Sequence, residues 1–158
     1  MDYAIIAAGE GSRLVQEGVK WPKPLVQLNG TALIDRLINV FLKNDESSIS
    51  IIVNEEMTEV QEHLRKLELP VPFYLLVKST PSSMHSFYEL SHHLDSDHIC
   101  LTTVDTIFKE EEFGGYIQAF LKESQLDGLM AVTDFIDDEK PLYVDTDNDL
   151  VIQGFLDK

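Results

Sequence analysis

A single cysteine in 158 residues, Cys100, rules out an internal disulfide. Its position within the apolar run His98 to Val104 marks it as an inert core thiol rather than a nucleophile. Long hydrophobic runs are also missing. None approaches the roughly 20 residues of a membrane span, and the start of the chain lacks the basic and cleavage pattern of a secretory signal. These features predict a cytoplasmic protein with no membrane partner. Basic residues are scarce, with 12 Lys and Arg against 28 Asp and Glu and a net charge of −16. Such an excess argues against binding a nucleic acid polymer, whose affinity rests on neutralising backbone phosphates. The histidines His92, His93 and His98 have no cysteine partners and no zinc-site spacing, so they read as surface residues. Repeats and low-complexity tracts are absent. At 44% apolar content, one domain spanning residues 1–158 is expected.

The few cations are unevenly placed. Residues 1–43 carry a net charge of +1, and residues 44–158 carry −17. Within the first segment, the apolar run Tyr3 to Ala8 reads as a buried strand that ends in a glycine-rich turn, Ala7-Ala8-Gly9-Glu10-Gly11-Ser12. Gly9 and Gly11 would let a ligand's oxygens approach backbone N–H groups, although on their own they also suit a plain tight turn. Ser12 adds a hydroxyl, and Arg13 adds a permanently charged, fork-shaped donor. Lys23 follows between Pro22 and Pro24. The prolines stiffen this loop and bias Trp21 and Lys23 toward extended geometry, so the ammonium is aimed. Together these groups predict a phosphate site. It is neither the dinucleotide fingerprint, since Leu14 stands where a third glycine belongs, nor the P-loop, which needs a Lys-Ser/Thr pair.

Further along, helical and strand periods alternate. Helices are expected over Leu33 to Lys43, Met57 to Leu67, Ser83 to Leu94 and Glu112 to Lys122. Strands are expected over Ser50 to Val53, Phe73 to Val77, His98 to Val104 and Leu129 to Thr133, with a hairpin around Asp147-Asn148-Asp149. The acidic runs Glu110 to Glu112 and Asp137 to Glu139 read as a solvated helix start and a loop. This β-α-β-α order predicts an α/β fold: a mostly parallel, Rossmann-like sheet with helices on both faces, and ligands at the carboxyl ends of its strands. Two features fall at such ends. Asp105 terminates the strand Leu101 to Val104, where its carboxylate could hold Mg²⁺ together with phosphate oxygens or could simply shape a turn. The segment Thr80 to Leu90 opens a helix on Ser82, Ser83 and Ser86, which suits either an N-cap or contact with a base or phosphate.

The stretch AAGEGSRL, then KPL, then the turn Leu28-Asn29-Gly30 and a leucine-rich helix resembles the N-terminal signature of the nucleotidyltransferases that join sugar 1-phosphates or phosphocholine to a nucleoside triphosphate. The resemblance is dense over about the first 43 residues and holds in outline beyond them. It implies the three-layer fold of the nucleotide-diphospho-sugar transferases. It also implies that Ala7, Ala8, Gly9, Glu10, Gly11 and Ser12 hold the nucleotide, that Ser83 and Ser86 contact it, and that Arg13 and Lys23 balance phosphate charge during transfer. Asp105 matches the family's Mg²⁺ ligand, although Val104 replaces the glycine that usually precedes it. Ser86-Phe87 leans toward the phosphocholine cytidylyltransferase branch.

Asp157-Lys158 stands where the family has a Glu-Lys pair that touches the acceptor, so the resemblance also implies a chain truncated at its C-terminal end. The implied reaction is attack of an acceptor phosphate oxygen on the α-phosphorus, with pyrophosphate leaving in line. A nucleotide-binding module without turnover and a molybdenum cofactor guanylyltransferase-like enzyme are the alternatives, and a homo-oligomer is compatible with each.

Overall fold

A computed structural model of the chain describes residues 1–9, 18–135 and 141–157. Two compact units are distinguished, Met1–Glu111 and Glu112–Lys158.

The first unit is built on a four-stranded parallel sheet with strand order β5-β4-β1-β6, where β1 is Asp2–Ile6, β4 Ser48–Val53, β5 Phe73–Val77 and β6 Ile99–Thr103. A small antiparallel pair, β2 (Gln27–Leu28) and β3 (Thr31–Ala32), precedes the first helix. The inner strands β1 and β4 are covered on both faces. For that reason burial runs along them without alternation, and all six residues of β4 are buried, Ser48 and Ser50 among them. Helices α1 (Leu33–Phe41), α2 (Thr58–Arg65) and α3 (Ser83–Ser91) cross over between strands, and α4 (Glu110–Lys122) follows β6. Opposite faces of β1 show the layering. Tyr3 stacks on Phe41 of α1 with ring centroids 4.1 Å apart, whereas Ala4 packs with Ile52 and Leu90 of α3. Buried Asp2 accepts hydrogen bonds from the N–H groups of Asp95 (2.8 Å) and Ser96 (2.9 Å), which ties the loop before β6 to the start of β1.

In the second unit, β7 (Leu142–Thr146) and β8 (Ile152–Asp157) form the expected hairpin. Its turn is organised by the Asp147 carboxylate, which accepts from the N–H groups of Asp149 (3.0 Å) and Val151 (2.9 Å). Leu129 to Thr133 is not a strand. It has no ladder partner among the described residues, and Leu129, Met130 and Val132 are 38 to 68% exposed. β-propensity alone does not make a strand without a ladder partner. Among the described residues, no helix is long and apolar enough to cross a membrane.

Candidate functional site

The carboxyl ends of β1 and β6 lie side by side, because the parallel register pairs Ile6 with Thr103 and the Val104 N–H continues the ladder onto the Ile6 carbonyl at 3.2 Å. On the other flank of β1, the Ala7 N–H donates to the Ile52 carbonyl at 2.9 Å. Ala7 is buried, Ala8 is half-buried and Gly9 is exposed, with open space where a Cβ would stand. The chain therefore leaves the sheet after Ala7. Glu10, Gly11, Ser12 and Arg13 lie outside the described residues, as does Lys158.

Lys23 arrives from a separate segment. It opens a 3-10 turn, Lys23–Leu25, closed by the Leu25 N–H on the Pro22 carbonyl (2.8 Å) and the Val26 N–H on the Lys23 carbonyl (3.2 Å). The expected extended geometry at Lys23 is thus corrected to a helical turn. Pro24 fits there because the first positions of such a turn have no use for an N–H, and its buried ring anchors the segment. From this turn, Lys23 Nζ reaches Asp105 Oδ2 at 2.6 Å, with the two side chains 28% and 45% exposed.

Burial by itself would push the Asp105 carboxyl upward. The Lys23 hydrogen bond and charge, with help from Thr103, outweigh that and hold it below the usual carboxylate range. Asp105 also stands in a turn, closed by the Thr106 N–H on the Thr103 carbonyl (3.4 Å) and by the two threonine hydroxyls 3.1 Å apart. Asp105 thus stands in a turn, as one reading of it expected, and presents an ionised carboxylate. Val104 is buried and extends the β6 ladder, so the change from glycine leaves the carboxylate directed at Lys23.

The serines divide their roles. Ser82 caps α3, accepting from the His85 N–H at 3.5 Å, and Ser83 is exposed on the first turn. Ser86 is 1% exposed, with its hydroxyl 2.6 Å from that of Thr80. Ser86 is thus engaged within the protein, and the exposed hydroxyl at the start of α3 belongs to Ser83.

Two features escape sequence reasoning. Arg36 donates to the Phe108 carbonyl at 2.6 Å, three residues beyond Asp105. Asp35 and His63 meet at 2.7 Å in a cleft of about 310 Å³ that is also lined by Trp21 and Gln27. Only the i, i+3 and i, i+4 pairs of a single helix are visible in a sequence, and these contacts cross between elements.

No group of three or more His, Cys, Asp or Glu side chains gathers among the described residues. Asp105 alone would make a weak metal site, but one carboxylate plus phosphate oxygens is a set that Mg²⁺ accepts. The donor chemistry therefore fits Mg²⁺ brought with a nucleotide.

Comparison with known proteins bears on the fold and the family. The chain is 28% identical over 123 residues to the bifunctional protein GlmU of Thermodesulfovibrio yellowstonii, covering 77% of this chain and 26% of that one. It is 28% identical over 111 residues to the 2-aminoethylphosphonate cytidylyltransferase of Lancefieldella rimae, covering 68% and 44%. It therefore spans less than half the length of either relative. Among solved structures, the CTP:phosphocholine cytidylyltransferase LicC of Streptococcus pneumoniae matches 99% of this chain and 64% of its own, with a TM-score of 0.65 at 20% identity. That likeness shows the shared α/β nucleotidyltransferase fold. The family model for the MobA-like NTP transferase domain matches residues 3–147, and the chain belongs to that nucleotidyltransferase family.

Proposed function

We propose that this domain transfers a nucleoside monophosphate from a nucleoside triphosphate to a phosphorylated or phosphonylated small molecule, releasing pyrophosphate. The observation that carries the reading is the 2.6 Å contact between Lys23 and Asp105, which gathers an ammonium and an ionised carboxylate where two parallel strands end. The acceptor is already an anion, so catalysis needs positioning and charge neutralisation more than a strong base. An acceptor oxygen attacks the α-phosphorus, a P–O bond forms to the acceptor, and the bond to the β-phosphate oxygen breaks in line.

Lys23 leaves Asp105 for the phosphate oxygens and stabilises the charge that builds on them. Ala8 to Ser12 cradle the triphosphate through backbone N–H groups, while Ala7, whose own N–H is taken by the Ile52 carbonyl, anchors the loop to the sheet; Arg13 neutralises the departing pyrophosphate, and Ser83 meets the nucleotide from the start of α3. Ser86 supports that helix start through Thr80. Mg²⁺, held by Asp105 and the phosphates, would supply added charge neutralisation and orientation. Cytidylyl transfer to an acceptor of the phosphocholine or aminoethylphosphonate type is favoured by the cytidylyltransferases among the relatives, as against a hexose 1-phosphate. A cytoplasmic setting suits an enzyme that draws on nucleoside triphosphates.

The test is pyrophosphate release with CTP, UTP and GTP against phosphocholine, 2-aminoethylphosphonate, hexose 1-phosphates and molybdopterin. Product with one pair defines the substrates. Tight nucleotide binding with no pyrophosphate from any pair would identify a binding module instead.

A further inference from the structure

The segment after Asp105 is held by the same cation-rich stretch that supplies Lys23. Residues 106–109 form neither helix nor strand, so ladder hydrogen bonds do not fix where this loop, or the carboxylate that begins it, comes to rest. Side chains do so instead. Lys23 takes Asp105 at 2.6 Å, Arg36 takes the Phe108 carbonyl at 2.6 Å, and Lys43 takes Glu110 at 2.8 Å. The Arg36 guanidinium also lies over the Phe108 ring, 5.8 Å from its centroid.

These grips differ in strength. Lys43 and Glu110 are 61% and 50% exposed, and an exposed pair of this kind contributes little. Arg36 is half-buried. It stands on α1, which is seated by Ile34, Leu37, Val40 and Phe41, all at most 1% exposed. Its fork pairs a charge-assisted bond with a face-on contact to the same residue, which a lysine reproduces poorly.

We infer that Arg36 is a positioning residue for Asp105: by holding Phe108 from α1, it fixes the loop so that the carboxylate faces the space shared with Lys23. The inference rests on the reading of Asp105 and Lys23 given above. It adds that the aim of the carboxylate is set by a residue that touches neither metal nor nucleotide.

Trp21 is the only tryptophan, is 61% exposed and lies two residues from Lys23, so its fluorescence offers a binding signal independent of turnover. CTP would be titrated into the full chain at a series of Mg²⁺ concentrations, and without metal, for wild type, Arg36→Ala, Arg36→Lys, Lys43→Ala and Asp105→Asn. With Arg36→Ala, the Mg²⁺ concentration for half-maximal enhancement of binding rises about tenfold, in line with losing one hydrogen bond from a charged donor. Metal-free affinity is not weakened. Arg36→Lys recovers part of the loss, and Lys43→Ala matches wild type.

Asp105→Asn separates the two claims. If it abolishes the Mg²⁺ enhancement while Arg36→Ala leaves it intact, the positioning role is wrong and the site reading stands. If Asp105→Asn changes nothing, the site reading fails and takes the inference with it. Equal weakening by Arg36→Ala with and without metal would show a general packing loss and overturn the role. Should Arg36→Ala not fold, Arg36→Lys must still shift the Mg²⁺ requirement by about threefold, the effect expected of a weakened rather than deleted contact, or the inference falls.

Discussion

Without ligand, Asp105 competes for the ammonium that the phosphates need, and this gives Asp105→Asn effects of opposite sign. The Lys23–Asp105 bond is short, but its partners are 28% and 45% exposed, which places it between two regimes. Fully exposed pairs contribute about 0–1 kcal/mol, and breaking a buried pair costs about 3–5 kcal/mol. With both partners this accessible, a value of about 1 kcal/mol, the upper end of the exposed range, is the free energy a metal-free anion must overcome to take Lys23 from Asp105. Replacing Asp105 by asparagine keeps the shape and an acceptor oxygen but removes the charge. Inorganic pyrophosphate without Mg²⁺ should then bind about fivefold more tightly, since 1.4 kcal/mol is a factor of ten. Binding enhanced by Mg²⁺ should fall in the same variant.

The lost pair should lower Tm by about 2–4 °C, the shift expected per kcal/mol in a chain of this length. Titration of Trp21 fluorescence at fixed ionic strength measures both affinities. Asp97→Asn, at an exposed position, controls for the general effect of removing one negative charge. Metal-free pyrophosphate binding that weakens or stays unchanged in Asp105→Asn would refute the competition.

Three further outcomes are expected. Lys23→Met should lower turnover by about 10²-fold or more, as loss of a preorganised charge-stabilising group does, and a steady-state pyrophosphate assay near wild-type rate would contradict that role. Leu90→Ala should cost about 2–5 kcal/mol in denaturant unfolding, because Leu90 is fully buried against Ala4 and Ile52 in the layer between α3 and the sheet. Burial pushes the Cys100 thiol up to about 11, so it stays protonated and slow to alkylate at pH 8 in the native protein while reacting readily in denaturant. A raised thiol favours the folded state while both forms keep the proton. Its stabilising contribution should be complete below about pH 9 and disappear as pH rises toward 11, which unfolding curves of wild type and Cys100→Ala over that range would reveal.

Most of the sheet and its helices could be read from residue patterns because each element reports its own environment. Strand β5 and the start of α3 fall where their patterns put them. Boundaries shifted where neighbours intervene. Strand β4 extends back to Ser48 because a strand paired on both sides continues as long as its ladders do, and α3 stops at Ser91, before the polar pair His92-His93. Leu129 to Thr133 has a strand's composition and lacks a strand's partner. The same division runs through the site. Gly9, Lys23 and Asp105 could each be chosen by chemistry, since phosphate requires open backbone, cations and a metal-binding carboxylate. The roles of Ser82, Ser83 and Ser86 could not be separated, because capping and ligand contact call for the same hydroxyl.

Composition and motif alone therefore determined the fold class and pointed to phosphate chemistry and to candidate residues for it, because period, charge and glycine content are local properties of the chain. The tertiary structure decided what meets what. Lys23 and Asp105 become neighbours only because the parallel pairing of β1 with β6 sets two strand ends side by side and the 3-10 turn carries the lysine to them. Arg36 acquires its place through a backbone carbonyl, an acceptor that every residue possesses and that therefore leaves no trace in the order of side chains.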